Sequence, residues 1–442
     1  MKKIIVPLLL LCGPAPAAEP AWKAGVAKVN ITPRESIWMA GYGARTKPSE
    51  GVLQEIYVKA LALQDTAGAV SVMVTSDLLG FSAAISAAIA GSAQKQFGLT
   101  RDRLLLNSSH THSGPVTGTV LRPAYAMEKA HEEVVARYTT WLTERTLTAI
   151  GESIRNLAPA SLFFEQGLAG FAVNRRRVGN RQYPGPVDHD VPVLAVRGAD
   201  NALRGVVFGY SCHATVLSDY TINGDWPGYA QEAVERAHPG AIALFVAGCG
   251  ADANPLPRRS VTLAKNYGET LATAVESVLD AKMRAVTGPL RTAFEYVDIP
   301  FAKAPSRAEF EARLKEKDAA RVRHARYMLD ILERDGKLAA TYPYPVQAWQ
   351  FGGSLTLVPL AGEVVVDYSL RLRGKYGWND MWVAGYSNDV FAYIPSLRVL
   401  KEGGYEGGGA MIGYGQPGPF GESVEEDIMR KVDEVLTKVG RK

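Results

Sequence analysis

Apolar and polar positions along the chain repeat at two spacings, two residues and about 3.6, the periods of strand and helix. Val26–Ile31 and Ile56–Asp65 read as strands, the second dense in apolar positions. Val70, Val72 and Val74 alternate within Ala69–Thr75, which ends at Ser76-Asp77. A helix of small residues follows over Ser82–Phe97, and then a short apolar strand, Arg103–Asn107, runs into Ser108-Ser109-His110. Val134, Tyr138, Trp141 and Leu142 lie near helical spacing in a long stretch over 124–157. Further strands are predicted at 160–166, 191–197, 205–212, 241–248, 353–359 and 381–386, and helices at 228–237, 260–281, 363–376 and 422–440. Strands and helices interleave to the end without a linker or a repeat. The expected fold class is α/β: a large single domain over 18–442, with mixed β-sheets flanked by helices.

Three stretches depart from this pattern. Residues 306–335 are helical but highly charged (Glu309, Arg313, Lys315, Lys317, Arg321, Arg323), with both signs interleaved. That pattern predicts a solvated helix or helical hairpin inserted on the surface rather than a nucleic-acid face. The stretch 403–419 holds eight glycines and two prolines, which predicts a long loop near a site. At the start, Lys2 and Lys3 precede an apolar run from Ile4 to Leu11, and Ala15-Pro16-Ala17 offers a small-residue cleavage site. Residues 1–17 read as a bacterial signal peptide, cut near Ala17 or Ala18, and the expected location is periplasmic or secreted. No later stretch is long and apolar enough to span a membrane.

Composition narrows the function further. The 442 residues carry 49 basic and 45 acidic side chains, a formal charge of +4 that falls to +2 without Lys2 and Lys3. That balance excludes nucleic-acid binding by charge alone. With 47% hydrophobic and 21% charged residues, disorder or coiled coil as the dominant state is excluded too. Loss of the leader removes Cys12 and leaves Cys212 and Cys249, each at the end of a predicted strand. A bridge between them and two buried thiols both fit.

Only seven histidines occur, and two stand together in His110-Thr111-His112-Ser113-Gly114-Pro115, just past a predicted strand end. Imidazoles two residues apart on extended backbone face one side. Open α/β sheets bind ligands at the carboxyl ends of their strands. A metal pair and a hydrogen-bonded turn pair both fit this spacing. His213 ends a second apolar strand, where a satisfied core histidine is the plainer reading; two strands ending in histidine favour a metal. Zinc needs three or four N, O or S ligands. Asp77, Asp252 and Glu363 each follow an apolar strand and are the candidate carboxylates, although Glu363 also reads as a simple first-turn helix residue.

The segment Asn107–Pro115, NSSHTHSGP, resembles the histidine motif of neutral (non-lysosomal) ceramidases. Gly25–Pro33 and Met39–Gly43 resemble that family's opening strand and Met-x-Gly-Tyr turn. Asn174-Arg175, Gly228-Tyr229-Ala230, Gly362-Glu363 with Arg371-Leu372-Arg373, and Asn388 with Tyr393-Ile394 resemble later motifs in the same order. The resemblance spans about 25 to 405. It implies a neutral-ceramidase-like fold and a zinc ion (Zn2+) held by His110, His213, Glu363 and Tyr393, with His112 and Arg175 lining the reacting centre. Two departures stand out. The family's catalytic-serine loop is here Gly248-Cys249-Gly250-Ala251-Asp252-Ala253-Asn254-Pro255, without a serine, and the family's C-terminal β-sandwich domain does not follow the catalytic region.

The function expected from this is an exported zinc hydrolase that cleaves a carboxamide (N-acyl) bond with zinc-activated water. Its partner is a small-molecule or lipid-like N-acyl substrate. His112 is the expected base, with Asp252 as runner-up or as the partner of a metal-bound imidazole. Arg175 is placed to hold an oxyanion or a substrate carboxylate. Cys249 is a weaker candidate nucleophile. An ester or lactone hydrolase with the same metal is the second enzymatic reading. A TIM-barrel amidohydrolase fits the His110/His112 pair but not the order of the later motifs. A metal-containing binding protein without activity is the reading from another class.

Overall fold

The alternating segments of the first half assemble into one nine-stranded sheet in a computed structural model that describes residues 22–177 and 185–441. The expected signal peptide, 1–17, lies outside the described residues. Along the sheet the order is Ile242–Ala247, Leu203–Tyr210, Asp190–Gly198, Ala158–Leu168, Trp22–Asn30, Tyr57–Gln64, Val70–Ser76 and Leu104–Ser108; Arg284–Val286 adds to Ala158–Leu168. The middle is antiparallel, while the outermost pair at each end is parallel. The sheet curves until its ends meet. Lys59 Nζ donates to the carbonyl of Ala243 at 2.7 Å, and the Ala247 amide donates to Asn107 Oδ1 at 3.0 Å. Lys59 is buried, and Glu235, 2.7 Å away, supplies the counter-charge that a buried ammonium requires.

A second sheet of four strands, Leu290–Pro300, Thr341–Phe351, Leu355–Pro359 and Met381–Ala384, closes the other side. Asn107 joins the two sheets. Its Nδ2 donates to Gly385 O at 2.8 Å and to Ser387 Oγ at 3.0 Å, while its Oδ1 takes the Ala247 amide. The two short parallel strands Glu363–Val364 and Tyr393–Ile394 pair in this junction. The helix Val261–Leu279 shows how the outer layer forms. Ser260 caps it by accepting from the Leu263 amide, and Ala264, Tyr267, Leu271, Val275 and Val278 bury one face at helical spacing. No helix among the described residues is long and apolar enough to cross a membrane.

Two expected helix starts move, and one of the two forms expected for 306–335 is found. The helix expected over 124–157 runs Lys129–Arg155, because Pro123 sits in a separate short turn, Arg122–Ala124, and Glu128 caps the helix. The helix expected at 363–376 begins only at Val366, which takes Glu363 out of its first turn. The stretch 306–335 forms the hairpin Arg307–Arg313 and Ala319–Asp335 around its own small core of Phe310, Ala325 and Met328.

Candidate metal centre

Two strand ends deliver the imidazoles. After Leu104–Ser108 the chain turns sharply, and His110 takes φ 60, a left-handed conformation uncommon outside glycine. The segment is therefore not extended, as the alternation argument assumed. The turn sets His110 and His112 together, with their Nε2 atoms 3.2 Å apart. His213 follows Leu203–Tyr210 and is fully buried, its ring 4.9 Å from that of His110. The candidate ligand atoms of all three imidazoles lie within 4.8 Å of one another.

Protonation follows from the hydrogen bonds. His110 Nδ1 is 2.7 Å from Leu79 O, and His213 Nδ1 is 2.8 Å from Gly250 O. A carbonyl only accepts, so each Nδ1 carries the hydrogen and each Nε2 presents a lone pair. Both Nε2 atoms are 3.0 Å from Glu363 Oε2, a buried carboxylate oxygen without a hydrogen-bond donor. With both rings neutral, these two nitrogens and the carboxylate oxygen are three converging acceptors, and only the Tyr393 hydroxyl, 3.2 Å from His213 Nε2, and His112 Nε2, 3.2 Å from His110 Nε2, stand near enough to offer them a proton among the described residues. Buried acceptors so arranged are costly, and a bound cation removes that cost. Carbonyls that take the second ring nitrogen are also the usual means of aiming a metal-binding imidazole. The donor set fits a metal ion.

The oxygens come from the short parallel pair. Glu363 lies opposite Tyr393 in its register, so the two side chains stand side by side. Gly362 makes this approach possible. Its φ is 75, and a β-carbon there would sit 2.6 Å from Ile394 and 2.8 Å from the Ala392 carbonyl. Tyr393 Oη lies 3.2 Å from His213 Nε2 and accepts from Arg175 Nη2 at 2.9 Å. Arg175 is held in turn by Glu406, whose Oε1 accepts from its Nε at 2.6 Å. The third imidazole, His112, packs its ring against the backbone of Gly41 and the edge of Tyr42, 4.8 Å between ring centres. Its Nδ1 is buried without a partner, and Arg45 Nη1 donates to its carbonyl at 2.8 Å.

The other expected residues serve elsewhere. Asp252 makes no hydrogen bond to an imidazole. Its Oδ2 accepts from Asn174 Nδ2 at 3.0 Å and its Oδ1 from the Val366 amide at 2.9 Å, so it ties the Arg175 turn to the start of a helix. The partner of His213 is the Gly250 carbonyl instead. Burial raises the Asp252 carboxyl to about 6. Asp77 accepts from the Tyr57 amide and from Gln231. Cys212 and Cys249 are both free and buried, and burial pushes both thiols well above their usual range. No thiolate is available there as a nucleophile at neutral pH.

Sequence reasoning missed several neighbours. Tyr414 donates to Glu363 Oε1, Glu406 braces Arg175, and the Tyr386 ring lies 4.4 Å from that of His110. Tyr414 and Glu406 come from the glycine-rich stretch expected to lie near a site, but nothing in its pattern singled them out. Gly41 lay inside the Met-x-Gly-Tyr motif, yet its contact with His112 appears only in three dimensions. Backbone strain gathers at the same place. Of seven non-glycine residues with positive φ among those described, His110 and Tyr386 pack together at this centre and Arg259 bonds to Tyr42, which packs on His112.

Residues 22–254 match the family model described as neutral/alkaline non-lysosomal ceramidase, N-terminal. The fold is similar to the crystal structure of neutral ceramidase from Pseudomonas aeruginosa, at 17% identity and a TM-score of 0.75 over 96% of this chain and 75% of that one. It is also similar to a ceramidase complexed with C2, at 17% identity and a TM-score of 0.74 over 94% of this chain and 75% of that one. The family match covers more than half of the chain and the fold agrees with it: the chain belongs to the neutral/alkaline non-lysosomal ceramidase family and is a hydrolase of the ceramidase type.

Proposed function

We propose that the protein is an exported zinc hydrolase of carboxamide bonds, with His110, His213, Glu363 and Tyr393 as its zinc ligands. The observation that carries this reading is the meeting of two Nε2 lone pairs with a donorless carboxylate oxygen. With the Tyr393 oxygen they make an N2O2 set of four, the number and kind zinc takes. When bound, zinc supplies a Lewis acid that polarises a carbonyl and makes water acidic enough to attack it near neutral pH. His112 turns its Nε2 toward the ligands, 3.2 Å from His110 Nε2, and through that nitrogen it takes the proton from the attacking water and returns it to the leaving amine. Burial holds the Tyr393 hydroxyl well above its usual range, and Arg175, which donates to its oxygen, opposes that shift. Asp252 holds the Arg175 turn in place. The family supports a lipid-like N-acyl substrate, and the Lys2–Ala17 leader pattern supports export to the periplasm or beyond. In this reading 18–442 is one hydrolase domain that carries 306–335 as an insertion.

One distance favours a second assignment. His112 Nε2 is close enough to His110 Nε2, 3.2 Å, to be a ligand itself. Elemental analysis with single-turnover kinetics on an N-acyl amide separates the two. Wild type should hold about one zinc per chain, as a single four-ligand site implies, and His213→Ala should lose it. If His112 is the base, His112→Ala keeps zinc and loses roughly 10²–10⁴-fold in rate; if it is a ligand, the metal goes as well. Full zinc occupancy in both His110→Ala and His213→Ala would refute the site.

A further inference from the structure

Next to Tyr42, which packs on His112, stand two arginines that have no ion-paired acid among the described residues. Arg258 and Arg259 follow the short strand Ala253–Pro255. Arg259 Nη1 donates to Tyr42 Oη at 3.1 Å, and its guanidinium lies 5.3 Å from the centre of the Tyr42 ring. That ring is the one in edge contact with His112, and its hydroxyl is fixed on Leu217 O at 2.9 Å. Arg45 faces the same ring from 4.9 Å. A line of contacts thus runs from the reacting-centre imidazole through one tyrosine to an exposed guanidinium. Arg259 is held at φ 87 by its amide bond to Val216 O, a left-handed conformation that a residue with a β-carbon seldom adopts.

Arg175, Arg176 and Arg177 have carboxylate partners: Arg175 and Arg176 share Glu406, and Arg177 pairs with Glu402. Arg258 and Arg259 form no ion pair with a carboxylate among the described residues. The nearest acid, Asp225, is buried and already accepts from the amides of Val216, Leu217 and Trp226. Burial, and then repulsion by Arg259, lowers the pKa of Arg258. Like charges held together beside a reaction centre call for an anion, and guanidinium groups are suited to bind an oxyanion in two-point fashion.

We infer that the preferred substrate of this hydrolase is an N-acyl amide whose amine portion carries an oxyanion, a carboxylate in the simplest case, recognised by Arg258 and Arg259. The inference rests on the amide-hydrolase reading and narrows it, since an uncharged amide leaves both guanidinium groups without an anionic partner. The probes are dodecanoyl-glutamate and dodecanoyl-ethanolamine, which share an acyl chain and differ in charge. Zinc-loaded wild type should favour the anionic amide in kcat/KM, and the preference should shrink as salt rises. Arg258→Ala/Arg259→Ala should lower the ratio of anionic to neutral kcat/KM by about tenfold or more, mainly through KM. Arg258→Glu should push the ratio below that of the double alanine variant, and Arg259→Lys should restore part of it. Zinc content and melting temperature, measured for each variant, identify any that fail to fold. Equal kcat/KM for both amides in wild type, or a ratio unmoved in every folded variant, overturns the inference and leaves the hydrolase reading standing. If zinc-loaded wild type cleaves neither amide nor any other, the hydrolase reading falls and takes the inference with it.

Discussion

Replacing Gly41 by alanine tests how His112 is placed without removing any atom from the centre. A β-carbon at Gly41 would lie 2.4 Å from both Cγ and Nδ1 of His112, against ordinary contacts of about 3.4–4 Å. The imidazole must therefore retreat by about 1 Å, and a displacement of that size at a reacting group costs on the order of 10²-fold in rate. The backbone adds to the effect, because φ is 95 at this position and an L side chain there costs about 1–2 kcal/mol. Gly41→Ala should thus fold with a lower melting temperature and turn over an N-acyl amide about 100-fold more slowly. The assay is single-turnover hydrolysis with zinc measured on the same sample. Retained zinc with slow turnover supports His112 as base, while lost zinc supports it as ligand. Wild-type turnover in Gly41→Ala would refute the placement of His112 against Gly41.

Two further outcomes are expected. Cys249→Ala and Cys212→Ala should both keep most of their activity, with no acyl adduct in mass spectra of quenched enzyme, because both thiols are buried, unpaired and held in the protonated form; an adduct on Cys249 would put a thiol in place of water. Asp389 is raised to about 7 by burial, while its Oδ2 accepts from Tyr342 at 2.6 Å. Between about pH 4 and 7 the folded state keeps a proton there that the unfolded chain has lost, so this residue makes stability fall as pH rises, by up to about 4 kcal/mol. Asp389→Asn should flatten that slope in urea unfolding from pH 5 to 8 and raise stability at pH 8. An unchanged slope would show that Asp389 is ionised in the native state.

The site was legible where chemistry coincided with local pattern. His110 and His213 stood out because scarce histidines followed apolar runs, and the runs are strands. Glu363 was visible as an acid after a strand, but it was assigned to a helix, because the bond from its amide to Ala392 O comes from 29 residues downstream. Tyr393 came only from family resemblance, since a tyrosine in a loop carries no local sign of its role. Tyr414 and Glu406 were hidden because the glycine-rich stretch, expected as a long loop, folds into the short helical turns Tyr405–Gly409 and Met411–Tyr414, whose resting place the local pattern does not set. The mixed charges of 306–335 pointed to a solvated helix or helical hairpin, and the structure has the hairpin. They did not show that Arg323 donates to the Pro123 and Ala124 carbonyls, or that His324 bonds to Gln416 O, two residues from Tyr414. The hairpin thus braces the loop that reaches Glu363.

The pairing of Glu363–Val364 with Tyr393–Ile394 also bears on when the protein becomes able to hold metal. A ribosome releases the segment bearing His110 and His213 long before the segment bearing Glu363 and Tyr393, and the parallel pair that sets the oxygens side by side does not exist until Ile394 has emerged. A nascent or truncated chain ending short of that point has the imidazoles but not the register. In the exported zinc hydrolase proposed above, the metal would then be chosen where folding is completed, by the ions present in that compartment, and not where the polypeptide is made.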